Sequence, residues 1–99
     1  MARRIIGKLT LEDGEYEGEI LNDKRHGFGI MIYTNGTVYE GFFAKNKFNG
    51  KGRYTWENGN VYEGDFVNGR FNGKGKMTNA DGNVKEGNCI NISILHLNC

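Results

Sequence analysis

The sequence predicts an all-β protein, an antiparallel β-meander of 23-residue hairpin repeats with no helices. Three observations carry this. Tyr16, Tyr39 and Tyr62 are 23 residues apart, and the same step takes Glu17 to Glu40, Glu63 and Glu86 and Gly18 to Gly41, Gly64 and Gly87. No window sustains a 3.6-residue apolar period, so helices are not expected. The turn dipeptides Asn35-Gly36, Asn58-Gly59 and Asp81-Gly82 recur on that step. Self-similarity at a fixed period is the mark of a repeat architecture. Residues 39–61 and 62–84 are identical at 13 of 23 positions.

Residues 1–15 read as an N-terminal partial repeat, with Gly7 and Gly14 on the lattice after a one-residue slip. Full repeats follow at 16–38, 39–61 and 62–84. Residues 85–99 form a degenerate or truncated C-terminal repeat. Within a repeat, VYEGFFA (38–44) reads as a strand, KNKFNG as a polar turn and KGRYTW (51–56) as the returning strand. Of 16 glycines, 13 sit on the lattice. A glycine content about double the usual ~7% is therefore positional, unlike that of a flexible linker. The pattern fails at the end, where Lys85 takes the tyrosine position and Asn79 and Met77 replace aromatics. Ile90, Ile92 and Ile94 alternate with Asn91 and Ser93 and read as a strand. It is an edge strand, a cap or the ragged end of a truncated chain, and an uncharged apolar edge favours pairing with another chain.

Side-chain alternation constrains the register. With Tyr39, Gly41, Phe43, Gly52, Tyr54 and Trp56 on one face, the expected pairs within a repeat are Gly41–Tyr54, Phe43–Gly52 and Tyr39–Trp56. Between repeats they are Tyr54–Gly64, Gly52–Phe66 and Trp56–Tyr62. In the unit before, Met31 falls between Gly18 and Gly41, and Tyr33 between Tyr16 and Tyr39. Large rings then lie over glycines of neighbouring strands. A plain two-residue hairpin at Asn58-Gly59 gives the wrong parity, so a longer loop or a glycine bulge is expected there. On the other face Asp65 falls between Arg53 and Lys76 as a charge ladder. Leu21, Phe28, Ile30, Phe42 and Ala44 gather on that face as a candidate interaction patch, covered by a terminal segment or left open to a partner or a second copy.

Net charge is +1, with 13 Lys+Arg against 12 Asp+Glu. That leaves no global basic field, and nucleic acid is not an expected partner. Cys89 and Cys99 have neither a disulfide framework nor a zinc spacing. A reduced cytoplasmic setting is expected, with cytoskeletal or membrane association. The N-terminal Ile-Ile pair is too short for a signal segment, and no stretch reaches the ~18 apolar residues of a membrane span.

The units YEGEILNDKRHGFG, YEGFFAKNKFNGKG and YEGDFVNGRFNGKG resemble the MORN (membrane occupation and recognition nexus) repeat. The shared pattern is Tyr-x-Gly, an aromatic two residues on, and Gly-x-Gly nine residues after the first glycine. The resemblance implies an elongated, twisted antiparallel meander with a groove lined by the repeated aromatics. Two strands per unit advance it by ~10 Å per repeat. The candidate groove or core row is Tyr16, Tyr33, Tyr39, Phe43, Tyr54, Trp56, Tyr62 and Phe66.

No catalytic chemistry is expected. His26 sits in the first unit's turn, where later units have Asn49 and Asn72, and His96 lies in the tail. Neither has a nucleophile placed beside it by a motif. Gly-x-Gly at 27–29, 50–52 and 73–75 lacks the third glycine and helix of a dinucleotide loop. No cofactor or metal is expected. Basic residues recur along one rim, at Lys24, Arg25, Lys45, Lys47, Lys51, Arg70 and Lys74. Such a rim suits anionic lipid headgroups, at ~1 kcal/mol per basic residue near a membrane surface, and the resemblance implies phosphoinositides. The expected function is a scaffold that binds a protein partner or itself. The alternatives are a peripheral module on anionic membranes and a repeat segment accompanying a larger enzyme.

Overall fold

A computed structural model describes residues 4–88, apart from the side chains at 74, 85 and 88. Eight strands form one antiparallel sheet in chain order. They are β1 (Ile5–Leu11), β2 (Gly14–Leu21), β3 (Lys24–Tyr33), β4 (Val38–Ala44), β5 (Lys47–Thr55), β6 (Val61–Val67), β7 (Arg70–Thr78) and β8 (Val84–Asn88). The molecule measures 44 × 25 × 17 Å. The expected fold class holds: a meander of hairpins without helices among the described residues. The terminal strand expected at Ile90–Ile94 and both cysteines lie outside those residues.

Glu12-Asp13 joins β1 to β2 as a two-residue turn without positive φ, and from β2 onward turns of two kinds alternate, one kind at each end of the strands. Asn22-Asp23, Lys45-Asn46 and Asn68-Gly69 close two-residue hairpins with both central residues at positive φ, 52° and 62°, 49° and 73°, and 50° and 81°. Such primed turns match the strand twist, and Asn, Asp and Gly enter that region at low cost. The opposite loops hold three residues and end on a glycine. At Trp56–Asn60 the Trp56 amide donates to the Asn60 carbonyl (2.9 Å) and the Gly59 amide to the Trp56 carbonyl (3.0 Å). Gly59 has φ 95°. This is the glycine bulge that parity required.

The register differs from the expected one by two residues. Tyr39 pairs with Tyr54 and Gly41 with Gly52, and Gly52 and Tyr54 pair in turn with Gly64 and Tyr62. Faces are as expected and partners are not. Met31 lies between Tyr16 and Tyr39 rather than between glycines, and Tyr33 pairs with Gly14. Between repeats the register is set by the three-residue loop that the Trp56–Asn60 bond closes, and within a repeat the cause is the two-residue turn. KNKFNG is not a six-residue loop: Lys45-Asn46 turns alone, and β5 runs on through Lys47–Gly50. Two extra residues are then absorbed in a bulge, where Phe42 opposes Asn49, Gly50 and Lys51. The same shift recurs between Gly18 and Ile20 and between Gly64 and Phe66.

Glycine facing glycine clears a flat patch, and a tyrosine ring fills it. A Cβ on Gly29, Gly52 or Gly75 would collide with the ring of Tyr16, Tyr39 or Tyr62. Each of those hydroxyls donates to a carbonyl at its own strand's bulge: Tyr16 to Glu19 (2.6 Å), Tyr39 to Phe42 (2.8 Å) and Tyr62 to Asp65 (3.2 Å). Phe48 stacks on Tyr39 at 3.9 Å, and Phe71 lies against Tyr62 at 4.1 Å. Phe43 and Phe66 close the row edge-on. A single sheet thereby buries a core on one face, with the three repeat tyrosines no more than 1% exposed.

Candidate functional site

The inner, aromatic face is filled by its own rings. Tyr16, Tyr39, Tyr62, Phe43 and Phe66 are buried core. Tyr33, Tyr54 and Trp56 pack half-buried beside them, toward the three-residue loops. Burial raises the hydroxyl pKa of all five tyrosines, that of Tyr33 to about 12. Sequence reasoning missed Phe48 and Phe71 because both sit in stretches read as turns. Their 23-residue spacing was the available signal.

The rim divides. Lys24, Lys45, Lys47 and Arg70 flank or form the two-residue turns at one end of the strands. Arg25 does not belong to it. The bulge puts Arg25 opposite Ile20 on the aromatic face, in the lattice position of Phe48 and Phe71. Its guanidinium lies 5.5 Å above the Phe43 ring, and its Nε donates to Asn46 Oδ1 at 3.3 Å. Lys51 is also off the rim: it lies mid-strand on the outer face, 3.2 Å from Asp65. Lys74 holds the corresponding place in β7, and its side chain lies outside the described residues. His26 is a strand residue rather than a turn residue. Its Nδ1 accepts from the Lys45 amide at 3.2 Å, as Asn49 Oδ1 accepts from the Asn68 amide at 3.4 Å.

The outer face carries a charge ladder with one break. Running straight across the strands, Lys8, Glu17, Ile30, Glu40, Arg53, Glu63, Lys76 and Glu86 are successive partners. The two-residue slip makes Glu63, not Asp65, the acid between Arg53 and Lys76. Signs alternate except at Ile30, which takes the lattice position of Arg53 and Lys76. One row over, Lys51 pairs with Asp65. Twenty-three residues earlier the same places hold Phe28 and Phe42, their rings edge-to-face at 5.5 Å. An ion pair at one junction is thus an aromatic pair at the other.

That aromatic pair is open to solvent. Phe28 is 45% and Phe42 46% exposed. Ile30 and the exposed Ile32 continue the stripe along β3. Ile32 went unremarked in the sequence, although its two-residue spacing from Phe28 and Ile30 marks it. Leu21 and Ala44 share this face nearer the turns, opposite Lys24 and Lys47. Ile5–Leu11 of the N-terminal arm forms edge strand β1 rather than a cover for the patch, and the C-terminal tail, the other expected cover, lies outside the described residues. Beside the stripe is a notch of about 320 Å³, lined in part by Lys8, Thr10, Glu15, Glu17, Ile30 and Ile32. On the same face Glu19 accepts from the Phe28 amide and lies 3.2 Å from Arg4. Those contacts, the amide first, hold its carboxyl below the ordinary range.

Fold and faces together define a single-layer β-repeat protein with its core on one side. The family model of the MORN repeat matches residues 16–38, 39–61 and 62–84, and the chain belongs to the MORN repeat family. No curated protein matches it.

Proposed function

We propose that this chain is a non-catalytic scaffold that binds a protein partner through its outer face at the junction of β3 and β4. The observation that carries this is the exposed Phe28–Phe42 pair, standing where the next junction has the Lys51–Asp65 ion pair. Leaving two half-exposed rings in water is unfavourable for a free sheet, and covering them with a partner is favourable. The aromatic face is a poorer contact surface, since its rings already bury one another. The double variant Phe28→Lys, Phe42→Asp copies the second junction onto the first. In pull-downs read by mass spectrometry, the scaffold reading expects partners held by the native chain to be lost from this variant. They should be retained by Lys45→Glu, Lys47→Glu, Arg70→Glu.

A second reading rests on Lys24, Lys45, Lys47 and Arg70, which stand along one end of the sheet. There they suit an anionic membrane surface in a cytoplasmic setting. It expects salt-sensitive binding to liposomes rich in phosphoinositide, abolished by the rim variant. No binding at low ionic strength would end it.

A further inference from the structure

We infer that the occupant of the outer-face stripe is a basic amphipathic helix of another protein, lying along β3. This rests on that face being the contact surface. Backbone hydrogen bonding decides the partner's secondary structure. β3 is paired on both sides, to β2 and to β4, so it has no free edge for an added strand. A segment lying on the face must satisfy its own amides, as a helix does. From Phe28 to Ile32 the stripe runs ~13 Å, about two and a half helical turns, and Phe42 widens it toward β4.

Charge selects the partner's flanks. Ile30 removes the cation that the ladder would place between Glu17 and Glu40. Glu15 adjoins Ile32. Glu15 and Glu40 are exposed and have no ion-pair partner among the described residues. The stripe is thus apolar along its length with acids on both sides. Glu17 is paired with Lys8 at 3.6 Å, so a lysine or arginine stem lying along Ile30 and Ile32 in the notch would place its head at Glu15. The same acids disfavour a second copy, because a symmetric face-to-face pair would bring these carboxylates together.

The test uses an 18-residue helical peptide with a leucine ridge flanked by lysines, and a twin flanked by glutamates. Fluorescence anisotropy with the native chain should show the lysine peptide binding at least tenfold more tightly. Phe28→Lys, Phe42→Asp should weaken it at least tenfold, and Glu15→Lys, Glu40→Lys should reverse the preference. Equal binding of both peptides, still lost in the Phe double variant, would overturn the basic helix and leave the contact surface standing. A native dimer that the Phe double variant dissociates, seen by sedimentation, would make the occupant a second copy and overturn the helix in the same way. No peptide binding, or binding indifferent to the Phe double variant, would overturn both.

Discussion

A methyl group placed on Gly52 would stand inside the ring of Tyr39. The ring is held by the Phe42 carbonyl and stacked beneath Phe48, so it cannot swing away. Gly52→Ala should therefore cost about 1–3 kcal/mol, as overpacking does, measured by urea denaturation. Gly69 is the contrast. Its φ is 81° and nothing stands near its missing Cβ. Asn46 holds the matching turn position at φ 73°. Gly69→Asn should change stability by less than ~0.5 kcal/mol, because asparagine tolerates the left-handed region. The tyrosines also set the alkaline limit. In the folded chain their pKa values lie above the ordinary 10.0, Tyr33 at about 12. The unfolded chain therefore releases these protons first. Stability is full below pH ~10 and is lost as pH rises toward 12 and beyond. Tyrosinate absorbance near 295 nm should appear together with loss of the sheet signal in circular dichroism.

Among elements, the β2–β3, β4–β5 and β6–β7 hairpins each combine a two-residue turn with a bulge that restores the lattice. Alternation and spacing made the faces legible in the sequence, as well as the glycine bulge at Gly59. Partners were not legible, because a two-residue slip leaves every side chain on its own face and parity cannot detect it. The conformation of Lys45-Asn46 distinguishes the registers within a repeat and the length of the loop at 57–59 those between repeats, and a lysine at positive φ is not a residue that announces a primed turn. Arg25 on the aromatic face was hidden because its stretch reads as a turn, as do those of Phe48 and Phe71. The patch at Phe28 and Phe42 was legible, whereas its equivalence to Lys51 and Asp65 needed the pairing. Replacing the aromatic pair by the ion pair exchanges an edge-to-face contact of about 0.5–1.5 kcal/mol for a surface pair of about 0.2–1 kcal/mol. Phe28→Lys, Phe42→Asp should keep the fold and shift stability by less than ~1 kcal/mol in a thermal melt. That small shift makes it a clean probe of binding.

For the molecule as a whole, substantial contacts join only consecutive strands. Stability is then close to a sum of repeats and their junctions. Deleting residues 39–61 joins Val38 to Tyr62, as Val61 precedes it now. The shortened chain should fold to a six-stranded sheet of the same register with a lower Tm, followed by circular dichroism. The ends of the strands are also tied to one another across repeats. The Asn46 amide donates to the Arg25 carbonyl and the Gly69 amide to the Phe48 carbonyl, each at 2.9 Å. At the opposite end the Thr34 amide donates to the Asp13 carbonyl at 3.0 Å. These bonds run along both borders like the selvedges of a woven strip. Bending the sheet would lengthen one border and crowd the other. Two cargoes docked on different repeats would thus be held at a set spacing and a set angular offset, and the protein would serve them as a ruler rather than a tether.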